Sequence, residues 1–163
     1  MATTASGAFP SAMAFLNCAR QYYEAAEIVF ASKPGLHRPL YFLYLHTAES
    51  LLKAYLKANG QERWGHEVSE LCAEAQQFGL KIQSDKSGQH HLHNVMALLQ
   101  SGNGSKSAFR YATGEHGSKP DLAWTHDVVA ELISVVAPFV ESKSDLSKSG
   151  VPVGFEITMR IQG

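Results

Sequence analysis

The sequence lacks several features that would place it outside the ordinary globular class. It has only 2 cysteines in 163 residues, so the disulfide framework of a small secreted domain is not expected. The first nine residues lack a basic segment followed by an apolar run, which is the pattern of a secretory signal. No apolar stretch approaches the roughly 20 residues that cross a bilayer. We therefore expect a cytoplasmic protein that does not enter a membrane.

The sequence also lacks an excess of either charge. It has 14 Lys and Arg against 15 Asp and Glu, which gives a net charge of -1. This balance argues against broad, non-specific binding to nucleic acid, which needs a basic surface, although a local basic patch stays compatible with it. The length predicts one domain. We expect a loose N-terminus over residues 1–10, a helical bundle over 11–145, and a linker with a tail over 146–163.

Apolar residues recur at steps of three and four in five segments, which predicts five helices. They cover about residues 11–32, 39–59, 66–78 and 89–101, and a last segment from about 118. The second segment has the strongest pattern, with an inward stripe at Leu45, Ala48, Leu52 and Tyr55. In the fifth, Ser118 and Asp121 have the spacing of a capping box, and Pro138 is expected to kink or end the helix.

The last residues follow a different period. Apolar side chains alternate with other residues along this tail, at Val151, Val153, Phe155, Ile157, Met159 and Ile161. Period two is typical of a strand, and a lone strand needs a partner for its backbone groups. We expect the tail to pair with a second copy of the chain or with the short strand-like segment 80–83. The fold class is therefore all-α: an up-and-down bundle of about five helices with a C-terminal strand-like tail.

A polar stripe follows the helical period on another face of the second segment. It consists of His46, Glu49, Ser50 and Lys53. These side chains are candidates for binding a nucleotide or RNA, with Lys53 meeting a phosphate. The alternative is a solvated helix face with an ion pair between Glu49 and Lys53, which have the i,i+4 spacing of such pairs.

The histidines and cysteines predict neither a metal site nor a cofactor. His90 and His91 are adjacent, and neighbouring positions on a helix point in different directions. Together with His93 they therefore do not make the four converging ligands of a structural zinc site. Cys18 and Cys72 lie in helical patterns, and each is interpreted as a small buried apolar residue.

Three stretches together resemble the HEPN family, the higher eukaryote and prokaryote nucleotide-binding domains. They are residues 22–26 (YYEAA), residues 41–56 (YFLYLHTAESLLKAYL) and residues 65–68 (GHEV) with Leu71. The resemblance covers roughly residues 12–140 and omits the tail. It implies an up-and-down bundle that often forms homodimers. The family includes metal-independent ribonucleases, toxins that act beside small nucleotidyltransferases, and inactive versions that bind or scaffold.

Active ribonucleases of that family carry an arginine, four to six residues, and then a histidine. Arg110 and His116 fit this pattern with five residues between them. By this resemblance, His116 would move protons and Arg110 would hold the phosphate. In the alternative interpretation, Phe109 and Tyr111 anchor a loop on the bundle, and Arg110 pairs with a surface acid.

From these observations we expect a bundle that binds RNA, a nucleotide or a protein partner without catalysis, as a homodimer. Two alternatives stay open. One is a toxin-like endoribonuclease that uses Arg110 and His116. The other is a structural partner of a nucleotidyltransferase.

Overall fold

The computed structural model describes residues 8–83, 91–102 and 121–148. Within these ranges the chain forms five α-helices and no strand, which confirms the all-α fold class. The helices are α1 (Ala12–Ser32), α2 (His37–Ala58), α3 (Val68–Gln77), α4 (His91–Gly102) and α5 (Leu122–Lys148). Arg110, His116, His90 and the strand-like tail lie outside the described residues, so the predictions that concern them stay predictions.

Helix α2 is the central element of the bundle, because each of the other four helices packs against it. Its predicted stripe at Leu45, Ala48, Leu52 and Tyr55 is buried as expected. The helix ends at Ala58 and is followed by Asn59 and Gly60. Gly60 has a φ of +80°, a conformation that glycine adopts readily because it has no Cβ atom. The core around α2 draws apolar side chains from all five helices.

Helix α1 begins where the sequence predicted. The side-chain oxygen of Ser11 accepts a hydrogen bond from the backbone N–H of Ala14 at 3.1 Å, which satisfies one of the unpaired donors of a helix start. One expectation about α1 is wrong, since Cys18 is exposed, whereas Cys72 on α3 is buried. Cys18 lies beside Ala19, the residue that faces the core, and one step along a helix turns the side chain towards solvent. Neither cysteine forms a disulfide within the described residues.

The segment 80–83 packs as an irregular connection. Leu80 and Ile82 are buried, and the backbone N–H of Leu80 donates to the carbonyl of Ala75 at 3.1 Å. The N–H of Gln83 donates to the carboxylate of Glu131 on α5. This segment therefore links α3 to α5 through hydrogen bonds that its backbone N–H groups donate. Its alternating pattern reflects two buried residues in a connection rather than a strand.

Helix α5 differs from its prediction at both ends. The helix begins at Leu122, and Asp121 caps it, because its carboxylate accepts the N–H of Trp124 at 2.9 Å. Ser118, the other residue of the predicted capping box, lies outside the described residues. The helix also continues past Pro138 to Lys148. Proline removes one helical hydrogen bond, but Val136 and Val140 on either side of it are fully buried in the core, and this packing holds the helix together across the missing bond.

One described helix is long and apolar enough to cross a membrane by length and composition alone, namely the stretch Leu122–Leu146 of α5. This finding corrects the sequence-based expectation that no apolar stretch reaches that length. In the bundle, Val128, Leu132, Val136 and Val140 of this stretch are buried in the common core. About a third of the apolar window, 33%, is buried inside the bundle, and a helix that packs in the core of a globular protein can pass the same test of length and composition.

Candidate functional site

A cluster of charged side chains gathers around Glu49 of α2. Its Oε1 atom lies 2.8 Å from the Nζ atom of Lys53, one turn further along α2. The same oxygen lies 2.7 Å from Nδ1 of His66, which precedes α3. We call Glu49, Lys53, His66 and the neighbouring His46 the Glu49 cluster.

His46 joins the cluster from the preceding turn of α2. Its Nδ1 atom lies 3.7 Å from Oε2 of Glu49. The ring of Tyr22, from α1, stacks on it with centroids 5.3 Å apart. The ring of Phe42 meets it edge-on at 4.3 Å. These contacts fix the imidazole between two aromatic rings, both of which are partly exposed.

The side chains of the Glu49 cluster differ widely in solvent exposure. The side chains of Lys53 and Glu49 are only 9% and 12% exposed, whereas that of His66 is 78% exposed. Lys53 is largely covered because α2 occupies the centre of the bundle and is packed on by the other four helices. A buried ammonium group needs a compensating charge, and Glu49 supplies it.

The structure brings three of the four predicted ligand-binding residues together. His46, Glu49 and Lys53 share contacts, but the hydroxyl of Ser50 points towards α1, where it donates to Sγ of Cys18 at 3.9 Å. The predicted ion pair between Glu49 and Lys53 is present, although the solvated face that accompanied this alternative is not. His66 belongs to the cluster but was not among the predicted ligand residues. Its sequence distance of 17 residues from Glu49 gives no periodic signal.

A second charged cluster joins α1 to α5 at His126. Its Nε2 atom lies 3.1 Å from Oε1 of Glu27, and its Nδ1 atom lies 3.0 Å from Oδ1 of Asp127. The imidazole stacks on Phe30 with centroids 4.4 Å apart. Burial opposes protonation of the ring, but the hydrogen bonds to Asp127 and Glu27 outweigh it, so the pKa of His126 is raised.

Two tyrosines lie beside this second cluster. Burial raises the pKa of Tyr23, and the Glu27 carboxylate, to which its hydroxyl donates, raises it further. Burial together with the charge of Glu27 also raises the pKa of Tyr44. The hydroxyl of Tyr44 is buried and has no hydrogen-bond partner among the residues that the structure describes. Both phenols therefore stay protonated throughout the physiological range.

Metal ligands do not converge in the described part of the chain. No group of three or more His, Cys, Asp or Glu side chains there lies where it could hold a metal ion. His93 lies on α4, but nothing in residues 8–83, 91–102 and 121–148 completes a ligand set around it.

The bundle is similar in fold to a solved structure, the crystal structure of an archaeal HEPN homologue. The TM-score is 0.54 at 16% sequence identity, and the match covers 80% of this chain and 98% of the other. The chain therefore has a HEPN-like fold, as its sequence motifs predicted. No family model matches the sequence, and no curated protein matches it either.

Proposed function

We propose that this HEPN-like bundle binds a nucleotide or RNA at the Glu49 cluster and performs no chemistry there. The observation that supports the proposal is a largely buried lysine, Lys53, held by a carboxylate that an exposed histidine, His66, also contacts. A phosphate that displaces His66 meets a preformed ammonium group in a site from which most water is excluded.

The donors of the cluster suit a phosphate. The Lys53 ammonium carries three N–H donors and uses one of them on Glu49. The remaining donors can reach oxygen atoms of a phosphate, and partial burial strengthens such a contact. The half-exposed rings of Tyr22 and Phe42 on either side of His46 offer flat surfaces against which a base can stack.

Glu49 sets the affinity in this proposal. Its negative charge lies where the phosphate would arrive and competes for Lys53. Glu49→Gln should therefore strengthen binding of adenosine triphosphate or a short single-stranded RNA, while Lys53→Met should weaken it. Lys57→Met is the matched control, because Lys57 lies one turn further along α2 and pairs with Glu62 outside the cluster.

Titration calorimetry on the folded variants gives the affinities, and thermal unfolding confirms that each variant is folded. Opposite shifts for the Glu49 and Lys53 variants support the proposal. Equal affinities for all variants, or a loss that appears only for Lys57→Met, contradict it.

A ribonuclease is the second candidate function, and the spacing of Arg110 and His116 favours it. Both residues lie outside the described ranges, so the sequence motif alone supports this candidate. The metal-independent reaction would need no cofactor, because the ribose 2′-hydroxyl supplies the nucleophile. In either case we propose that the protein acts in the cytoplasm as a homodimer. A toxin-like role would belong to the ribonuclease alone, whereas a bundle without catalysis could instead serve as the structural partner of a nucleotidyltransferase.

A further inference from the structure

Apolar side chains are exposed at one end of the bundle. The ring of Trp64, in the connection between α2 and α3, is 67% exposed, and Phe78 and Leu146 are 40% and 48% exposed. Phe9 meets Trp64 edge-on, with centroids 4.5 Å apart. We call Phe9, Trp64, Phe78 and Leu146 the end patch.

Contacts between the helix ends place these residues at the same end of the bundle. Trp64 follows the last turn of α2, and Lys57 from that turn lies over the ring of Phe9. The hydroxyl of Tyr55, also near the end of α2, donates to the carbonyl of Phe78 at 2.9 Å. The start of α1 lies beside the last turns of α5, where Met13, Glu141, Ser144 and Asp145 line an open cleft.

Three of the four segments outside the described ranges do not suit the end patch. Residues 1–7 and 84–90 contain a single large apolar side chain between them, Met1. Residues 103–120 lead into α5 at the opposite end, where Leu122 packs against Leu40 and Tyr44 near the start of α2. The first two segments lack apolar side chains for such a surface, and the third is mostly polar and has one end fixed at the opposite end of the bundle, so they suit the end patch less well than the fourth.

The fourth segment, residues 149–163, begins at this end, because it directly follows Lys148, the last residue of α5. Fifteen residues in extended form span about 50 Å, whereas three packed helices are roughly 20–30 Å across. The segment carries its apolar side chains on alternate residues. In extended conformation they all lie on one face.

We propose that residues 149–163 lie across the end patch of their own chain. Their apolar face covers Phe9 and Trp64, and their other face, with Glu156, Thr158 and Arg160, stays in water. An extended segment on a surface keeps its backbone groups accessible to water on both edges, so this arrangement requires no second strand. It removes exposed aromatic surface of the kind that otherwise promotes association.

Trp64 reports directly on this contact. The sequence contains 2 tryptophans, so Trp124→Phe in the full chain leaves Trp64 as the only one. In this background, acrylamide quenching of Trp64 fluorescence is compared for the parent, Ile157→Asp, Phe155→Asp and Thr158→Asp. The third variant is the matched control, because it adds the same charge one residue away on the opposite face.

We expect Ile157→Asp and Phe155→Asp to raise the quenching constant of Trp64 about twofold, because the covered ring regains its exposure. Thr158→Asp should leave the constant unchanged. Circular dichroism verifies that the helices are intact in each variant, and the emission maximum of Trp64 should move to longer wavelength with the quenching constant. Equal quenching in all four proteins would overturn the proposal.

Dilution distinguishes covering of the end patch by the tail of the same chain from covering by the tail of a second copy. Protection by the same chain is independent of protein concentration, even where the bundle dimerises through another face. If the protection of Trp64 disappears on dilution together with the dimer mass in sedimentation, the tail of a second copy covers the patch and the proposal is wrong. Protection that persists in the monomer supports it.

Discussion

Glu49 and Lys53 form a charge pair inside the bundle, with Oε1 and Nζ 2.8 Å apart and both side chains about nine-tenths buried. The pair lies on α2, the helix against which all the others pack. Exposed pairs at this spacing contribute a few tenths of a kcal/mol. Burial changes the situation, because each partner now prevents an unpaired charge in a poorly solvated position.

Removing one partner of this pair should therefore be costly. We expect Glu49→Gln to lower the free energy of unfolding by about 3 kcal/mol, because Lys53 is left buried without its counter-charge. The double variant Glu49→Leu, Lys53→Met should lose less unfolding free energy than the sum of the losses caused by Glu49→Leu alone and Lys53→Met alone. Urea denaturation measures these values. Lys57→Met, which breaks a more exposed pair with Glu62, should cost at most about 1 kcal/mol, and a larger loss there would contradict the argument from burial.

The cluster at His126 should make stability depend on pH near neutrality. Glu27 from α1 and Asp127 from α5 contact the imidazole, and the ring of Tyr44 meets it edge-on with centroids 6.1 Å apart. The phenols of Tyr44 and of Tyr23, which donates to Glu27, titrate at far higher pH. Because the folded pKa of His126 is raised above its ordinary 6.5, its contribution is fully present below about pH 6.5. It is lost as the pH rises through the folded pKa.

The difference in unfolding free energy between wild type and His126→Asn, measured from pH 5.5 to 8.5, isolates this contribution. It should decrease as the pH rises. Asp127→Asn should reduce the slope, because it removes one of the two carboxylates that stabilise the protonated ring. A difference that is constant with pH, or that grows towards pH 8, would show that the ring is not held in its charged form.

Two buried tyrosines should respond differently to loss of the hydroxyl. Tyr55 donates to the carbonyl of Phe78 at 2.9 Å, so Tyr55→Phe should cost about 1 kcal/mol. The hydroxyl of Tyr44 has no hydrogen-bond partner in the described part of the chain, so Tyr44→Phe should be neutral or stabilising. Thermal unfolding of both variants tests the contrast. A larger loss for Tyr44→Phe would indicate that a bound water or a residue outside the described ranges satisfies that hydroxyl.

Cleavage of a labelled single-stranded RNA in the presence of EDTA tests the second candidate function. If the protein binds without catalysis, wild type and Arg110→Ala should both leave the RNA intact at high protein concentration. Cleavage by wild type that Arg110→Ala abolishes would instead identify a metal-independent ribonuclease. His116→Ala should then be inactive as well. Lys53→Met tests whether binding at the Glu49 cluster is needed for cleavage, because it removes the proposed phosphate contact and leaves Arg110 and His116 unchanged.

Periodicity predicted the parts of this molecule that depend on neighbours along one helix. Leu45, Ala48 and Leu52 repeat at three and four residues, and all three are buried on α2. The ion pair between Glu49 and Lys53 follows from the same geometry, since both side chains project from one face one turn apart. Helix ends were predicted to within a few residues where a cap or a glycine marks them, as at Ser11 and Gly60.

Contacts between distant parts of the chain were not predictable in this way. His66 reaches Glu49 across 17 residues, and His126 reaches Glu27 across 99. No period connects such residues, and their proximity depends on how whole helices pack. The burial of Lys53 has the same origin, because a helix pattern shows which residues share a face but not what covers that face. The continuation of α5 past Pro138 also depends on packing between helices, which outweighs the local tendency of proline to end a helix.

The two cysteines allow the opening of the core to be measured by thiol labelling. Cys18 is exposed and Cys72 is buried in the core, so a thiol reagent reaches the first at once and the second only when α3 separates from its neighbours. The labelling rate of Cys72 under native conditions therefore measures how often that part of the core opens. Cys18, labelled in the same tube, supplies the rate for an unprotected thiol, so each molecule carries its own reference.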